Sequence, residues 1–283
     1  MLSRESGASD RPARLFMGLV PWAAYAMRGT LVTGQFILHI LAPAAAAVLL
    51  LHRRPASWGR DGTAAVLLVW ALVKPSVGAP FVLLAALGGP PRERLRPTAL
   101  IVLGYVLLTL FAASFREPGV VSLVRTWAAA AVVQAAGGYG TAGAYGSVHH
   151  WLALAGLSRW NAAASLLPLG LLGVWVARHR GTDPWLLLGV TSLVARLWTY
   201  HRIYDDLLVL PALVALHRLA SRGRGGDPAA GLLLALSWAV AVAPARLFFL
   251  PAPWDALYAE AVSLTWVGTL AVLLHRARAA PGG

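Results

Sequence analysis

The chain has 283 residues, 58% of them hydrophobic and 12% charged, with a formal net charge of +13. A soluble domain carries roughly twice that charged fraction, so composition excludes an ordinary water-soluble enzyme and indicates an integral membrane protein. Cysteine is absent, which excludes disulfides, a thiolate nucleophile and cysteine-ligated metal.

Apolar runs recur along the chain at Leu15–Met27, Leu31–Leu51, Thr63–Leu87, Thr98–Phe115, Asn161–Ala177, Pro184–Thr199, Asp205–Leu219, Ala229–Leu247 and Ala256–Leu274. A helix needs about 20 apolar residues to cross a bilayer, and several of these runs are marginal. They predict an all-α protein, a polytopic transmembrane helix bundle of about 7–9 membrane segments within one integral membrane domain over residues 1–283. No convincing secretory signal precedes Leu15–Met27, which reads as the end of a longer span.

Arginine sets the expected orientation. Clusters lie at Arg53, Arg54 and Arg60, at Arg92, Arg94 and Arg96, at Arg178 and Arg180, at Arg218, Arg222 and Arg224, and at Arg276 and Arg278. Basic residues in short loops mark the cytoplasmic side rather than nucleic-acid binding. All five clusters share that side only if Thr63–Leu87 enters and leaves the membrane on one face. Lys74-Pro75 interrupts this run with a charge and a helix breaker, which predicts a re-entrant or short-helix hairpin. A single straight span with one basic loop outside is the alternative.

The opposite face then collects Arg28–Gln35, residues 116–160, the Trp198–Asp206 cluster and Phe248–Glu260. Residues 116–160 are expected to form an extracytoplasmic loop with an interfacial helix over Val120–Ala136, followed by a Gly/Tyr-rich stretch.

Ionisable groups near hydrocarbon are functional candidates by default. Lys74 needs an anionic partner. A lipid phosphate, helped by freed backbone amides near Pro75 and Gly78, competes with a structural carboxylate for that role. Trp198-Thr199-Tyr200-His201-Arg202-Ile203-Tyr204-Asp205-Asp206 packs two carboxylates, an imidazole, a guanidinium and two phenols at one boundary. Asp205, Asp206 and His201 are the candidate catalytic groups, as general base or its orienting partner. Adjacent aspartates on a helix point about 100° apart, so one is expected to face a cavity. Lys74, Arg202, Tyr200, Tyr204, Gln35, Arg28 and His149 are the candidate substrate-binding residues, with Arg196 a further phosphate contact. Gln35 and His39 lie one helical turn apart on one expected face. No carboxylate stands at ligand spacing from His149 and His150, so no metal or other cofactor is expected.

Three stretches together resemble glycosyltransferase family 87, polytopic enzymes of the GT-C superfamily. They are Arg28-Gly-Thr-Leu-Val-Thr-Gly-Gln35, Lys74-Pro75, and Trp198–Asp206 with Leu207–Ala212 behind it; Ser147-Val-His149 is a weaker fourth. The resemblance implies transfer of a sugar, often mannose, from a polyprenyl-phosphate donor to a lipid or glycan acceptor on the extracytoplasmic face; the arginine bias, with abundant Ala, Gly and Pro, points to a GC-rich bacterial genome and so to a bacterial inner membrane. It also implies inversion with a carboxylate base. Such enzymes generally carry a key acid in their first external loop, and Met1–Arg14 offers only Glu5 and Asp10. A shortened N-terminus, reliance on other carboxylates, or inactivity are each compatible with that departure, and little transferase activity is expected of residues 1–283 alone. A non-enzymatic transporter or lipid-carrier flippase, and a structural subunit of a cell-envelope complex, are the competing expectations.

Overall fold

The computed structural model describes residues 11–53, 55–115, 119–126, 129, 145–199, 201–221 and 226–279. Every described element is helical: α1 (Arg11–Ala23), α2 (Tyr25–Thr33), α3 (Ile37–His52), α4 (Trp58–Ala71), α5 (Pro75–Leu87), α6 (Pro91–Ser114), α7 (Val148–Leu154), α8 (Asn161–Arg178), α9 (Pro184–Leu197), α10 (Leu210–Ala220), α11 (Pro228–Val242) and α12 (Trp254–Ala279). Short 3₁₀ turns lie at Ser158–Trp160, Ile203–Val209 and Ala245–Phe249.

Among the described residues two helices are long and apolar enough to cross a membrane, α6 and α12. At 24 and 26 residues they reach roughly 36 to 39 Å, against about 30 Å of hydrocarbon. Helix α6 leaves most of its apolar surface uncovered, with only 17% of its most apolar window buried. The pair α1 and α2, bent by 50°, makes a third candidate. Helices α3, α5, α9 and α11 are apolar but only 13 to 16 residues long, about 20 to 24 Å. The expected count of spanning segments therefore exceeds what helix length alone supports.

Thr63–Leu87 does break at Lys74. Helix α4 ends at Ala71, Lys74 is the N-cap of α5, and Pro75 takes the first helical position, where a missing N–H costs nothing. The two helices fold back on each other. Asp61 near the start of α4 binds Arg96 near the start of α6, and α4 and α6 then run side by side, with Val69 against Gly104. Helix α5 returns to the same end, where Gly89 lies against the Arg94 side chain. Gly78 permits the tight tip, since a Cβ there would sit 2.4 Å from the Ala71 carbonyl oxygen.

The arginine loops share one face. Arg60 binds Asp61 and the Arg53 carbonyl, Arg180 binds the Leu87 carbonyl, Arg218 binds Asp183, and Arg276 binds Asp227. Arg222 and Arg224 lie outside the described residues. The opposite face carries Tyr25, Lys74, Tyr145, Trp198, His201 and the two adjacent aspartates. Helix α9, buried along nearly its whole length, connects the two faces and forms the centre of the bundle.

Candidate functional site

Helix α9 ends at Leu197, and the chain crosses the bundle end before the Ile203–Val209 turn starts α10. Within this crossing Asp205 and Asp206 diverge into separate networks. Asp205 accepts from Lys74 Nζ at 2.6 Å, from His201 Nδ1 at 3.1 Å and from the Arg202 backbone N–H at 3.2 Å. A carboxylate only accepts, so His201 carries its proton on Nδ1 and leaves Nε2 as an acceptor. That Nε2 is buried with no hydrogen-bond partner among the described residues. Lys74 is half-buried, its side chain 32% exposed, and its ammonium lies 5.7 Å from the centre of the Tyr204 ring.

Asp206 is enclosed. Its carboxylate accepts from the Tyr25 and Tyr145 hydroxyls and from Arg196 Nε. Arg196 is fully buried; its Nη2 donates to the Tyr145 carbonyl at 3.2 Å, and its guanidinium lies 4.9 Å from the Tyr145 ring centre. Phe248 packs edge-on against Tyr25 and at a tilt against Tyr145. Arg196 thus holds Asp206 through Nε. Three donors, two of them phenols, meet the buried Asp206 carboxylate, while Arg196 Nη1 is buried with no hydrogen-bond partner among the described residues.

The stretches that carry the family resemblance meet in space. Helix α2 packs on the Ile203–Val209 turn, with the Thr30 hydroxyl 3.4 Å from the Tyr204 carbonyl and Gly29 against the Tyr204 side chain. Trp198 Nε1 donates to the Ser76 carbonyl at 2.7 Å, pinning the crossing segment to the start of α5. The Val77 and Gly78 amides are not free for an anion, because both donate to the Lys74 carbonyl.

Other expected residues stand apart. Arg28 is exposed on α2, and no described hydrogen bond joins it to Lys74 or Asp205. Gln35 lies in the break after α2, where Gly34 is left-handed at φ 64°, so Gln35 and His39 do not share a helical face. Its backbone N–H caps Thr30. His149 packs beneath α8, with Nε2 at 2.6 Å from Ser165 Oγ and 3.1 Å from the Asn161 carbonyl. Burial holds its imidazole below the ordinary value, partly offset by the Asn161 contact. His150 pairs with Glu260 at 2.9 Å. Tyr200 and most of the expected interfacial helix lie outside the described residues; residues 120–126 are helical. No group of three metal-ligating side chains occurs among the described residues.

Tyr25 and Tyr145 were not legible as site residues. Tyr145 belongs to the Gly/Tyr-rich stretch, but Tyr25 sits in a short apolar run with nothing to mark it. No family model matches the chain, and no curated protein or solved structure matches it either.

Proposed function

We propose that the chain is a multi-pass membrane glycosyltransferase that moves a sugar, mannose in the simplest case, from a polyprenyl-phosphate donor to an extracytoplasmic lipid or glycan acceptor. The observation that carries this is the Lys74–Asp205 pair. A half-exposed ammonium at a helical-hairpin tip meets a buried carboxylate–imidazole couple from a segment far along the sequence. The hairpin acts as a re-entrant element, the arginine face lies in the cytoplasm of a bacterial inner membrane, and the Lys74 face lies outside.

On this reading Lys74 balances the donor phosphate. Its ammonium has three donors and Asp205 takes one. His201 Nε2 accepts the acceptor hydroxyl proton, while Asp205 fixes the ring and its tautomer. The acceptor oxygen bonds to the anomeric carbon, the bond from that carbon to the phosphate oxygen breaks, and the electron pair leaves with the polyprenyl phosphate. Full burial of His201 requires the Trp198–Ile203 segment to open for the acceptor. No metal or other cofactor is needed in this scheme.

Binding of a polyprenyl-phosphate sugar to the reconstituted protein tests it. Lys74→Ala should weaken binding at least about ten-fold while the protein stays folded, and Lys74→Arg should restore part of it, because the two cations differ in shape and hydration. Unchanged binding by Lys74→Ala would remove the proposal.

The same titratable chain of Lys74, Asp205 and His201 also suits a proton-coupled transporter or lipid-carrier flippase. Flux of a polyprenyl-phosphate sugar across proteoliposomes, without transfer to any acceptor, would favour that second function.

A further inference from the structure

Arg94 is an anomaly on the arginine face. It lies in the first turn of α6 and is only 3% exposed, yet its Nε and Nη1 have no hydrogen-bond partner among the described residues. Asp61 and Glu93 attract its charge and Arg60 repels it, but Asp61 is already shared by Arg60 and Arg96. Buried guanidinium nitrogens without hydrogen bonds are strongly disfavoured, so Nε and Nη1 call for a partner that the described residues do not supply.

Arg94 lines a cavity of about 710 Å³, with Arg180 also in its wall. Arg180 uses Nε on the Leu87 carbonyl at 3.1 Å. Pro91, at the start of α6, borders the same cavity, so the positive end of a long helix dipole lies beside it. Gly89 makes the guanidinium's position possible, because a Cβ there would lie 2.3 Å from Arg94 Nε. Apart from Thr98, the rest of the wall is apolar and follows α6 through Leu95, Val102, Leu103 and Val106. From Leu95 to Val106 it runs roughly 16 Å along the helix.

A cationic end joined to a long apolar wall fits a phosphate carried on an acyl chain. We propose that this groove holds an anionic phospholipid, its headgroup phosphate on Arg94 and Arg180 and one acyl chain along α6. The open, lipid-turned side of α6 supplies the entry, and a charged headgroup at the level of the arginine loops completes the hydrogen bonding that Arg94 lacks. The site lies on the face opposite Lys74 and stands independently of the transferase proposal.

Phosphatidylglycerol is the probe. The protein is reconstituted in phosphatidylcholine nanodiscs doped with it, and retained lipid is read by native mass spectrometry and thermal stabilisation. One phosphatidylglycerol should be retained, and Arg94→Gln and Arg180→Gln should each weaken retention at least about ten-fold. Gly89→Ala should do the same by displacing the guanidinium. Arg178→Gln alters a neighbouring groove of about 530 Å³ whose arginines are exposed, and should leave retention unchanged. Arg180 is exposed, so its variant should fold even where Arg94→Gln does not. Diacylglycerol, lacking the phosphate, and inorganic phosphate, lacking the chain, should not stabilise the protein. Normal retention by both Arg180→Gln and Gly89→Ala would overturn the proposal. An equal loss with Arg178→Gln, or full stabilisation by phosphate alone, would overturn it too.

Discussion

Asp205 and Asp206 are neighbours in the chain, yet they sit in networks of opposite character. Around Asp206 everything is closed: two phenols, a fully buried arginine and a phenylalanine leave its carboxylate 3% exposed. Around Asp205 one partner is half open, since Lys74 is 32% exposed and sits at a hairpin tip. A charge whose partners are all internal holds elements together, whereas one whose counter-ion meets the outside can answer to a ligand. The difference follows from the helical course of the Ile203–Val209 turn, on which adjacent side chains point about 100° or more apart and so reach different neighbours.

The largest effect should come from breaking the closed network. Arg196→Met strips a buried carboxylate of its cation, a loss of about 3–5 kcal/mol. It should appear as a large fall in unfolding temperature in detergent, and a small shift would place Asp206 among surface-like pairs. Asp205→Asn should behave in the reverse way. In proteoliposomes that transfer sugar, turnover should drop at least ten-fold, about 1.4 kcal/mol of barrier, with a smaller loss of stability than Arg196→Met. Equal stability losses and unchanged turnover would erase the distinction between the two aspartates.

The two faces of the molecule can be separated by labelling. Single cysteines introduced at Arg53 and Arg92 should react from the same side of the membrane, and a cysteine at Tyr204 from the other. The chain has no cysteine of its own, so background is absent. Reaction of the two arginine-loop positions from opposite sides would break the hairpin topology.

The smallest expected effect concerns the arginine face in acid. Burial pushes the Asp227 carboxyl up, but hydrogen bonds from Arg276 and the Ala230 and Ala229 amides, with the Arg276 charge, hold it below the ordinary value. A carboxyl depressed in the folded state stabilises the protein above its unfolded pKa of about 3.9 and loses that contribution as pH falls. Arg276→Gln should flatten the fall in stability below about pH 4 and change little near neutrality. An unchanged acid limb would mean that Asp227 is not held by Arg276.

The break at Lys74, the sharing of one face by the arginine loops, and the wealth of polar groups at Trp198–Asp206 were all legible in the sequence. Each rests on a local signal: a proline beside a charge, a loop's arginine count, a polar interruption in an apolar run. Helix lengths were less legible. Gly34 and Ala24 break the first apolar stretches, and the Ile203–Val209 turn delays α10, because caps and turns answer to neighbours as well as to hydropathy.

By itself, then, the sequence determined an all-helical chain with apolar helices and the positions where charge interrupts them, since burial of apolar surface depends on composition and period. Only the tertiary structure decided which charges meet. Lys74 finds Asp205 across 131 positions and Tyr25 finds Asp206 across 181. Arg94, in the first turn of α6, keeps Nε and Nη1 buried with no hydrogen-bond partner among the described residues. The reason is physical. Pairing of buried charges depends on distances between helices packed together, and no local period along the chain encodes those distances.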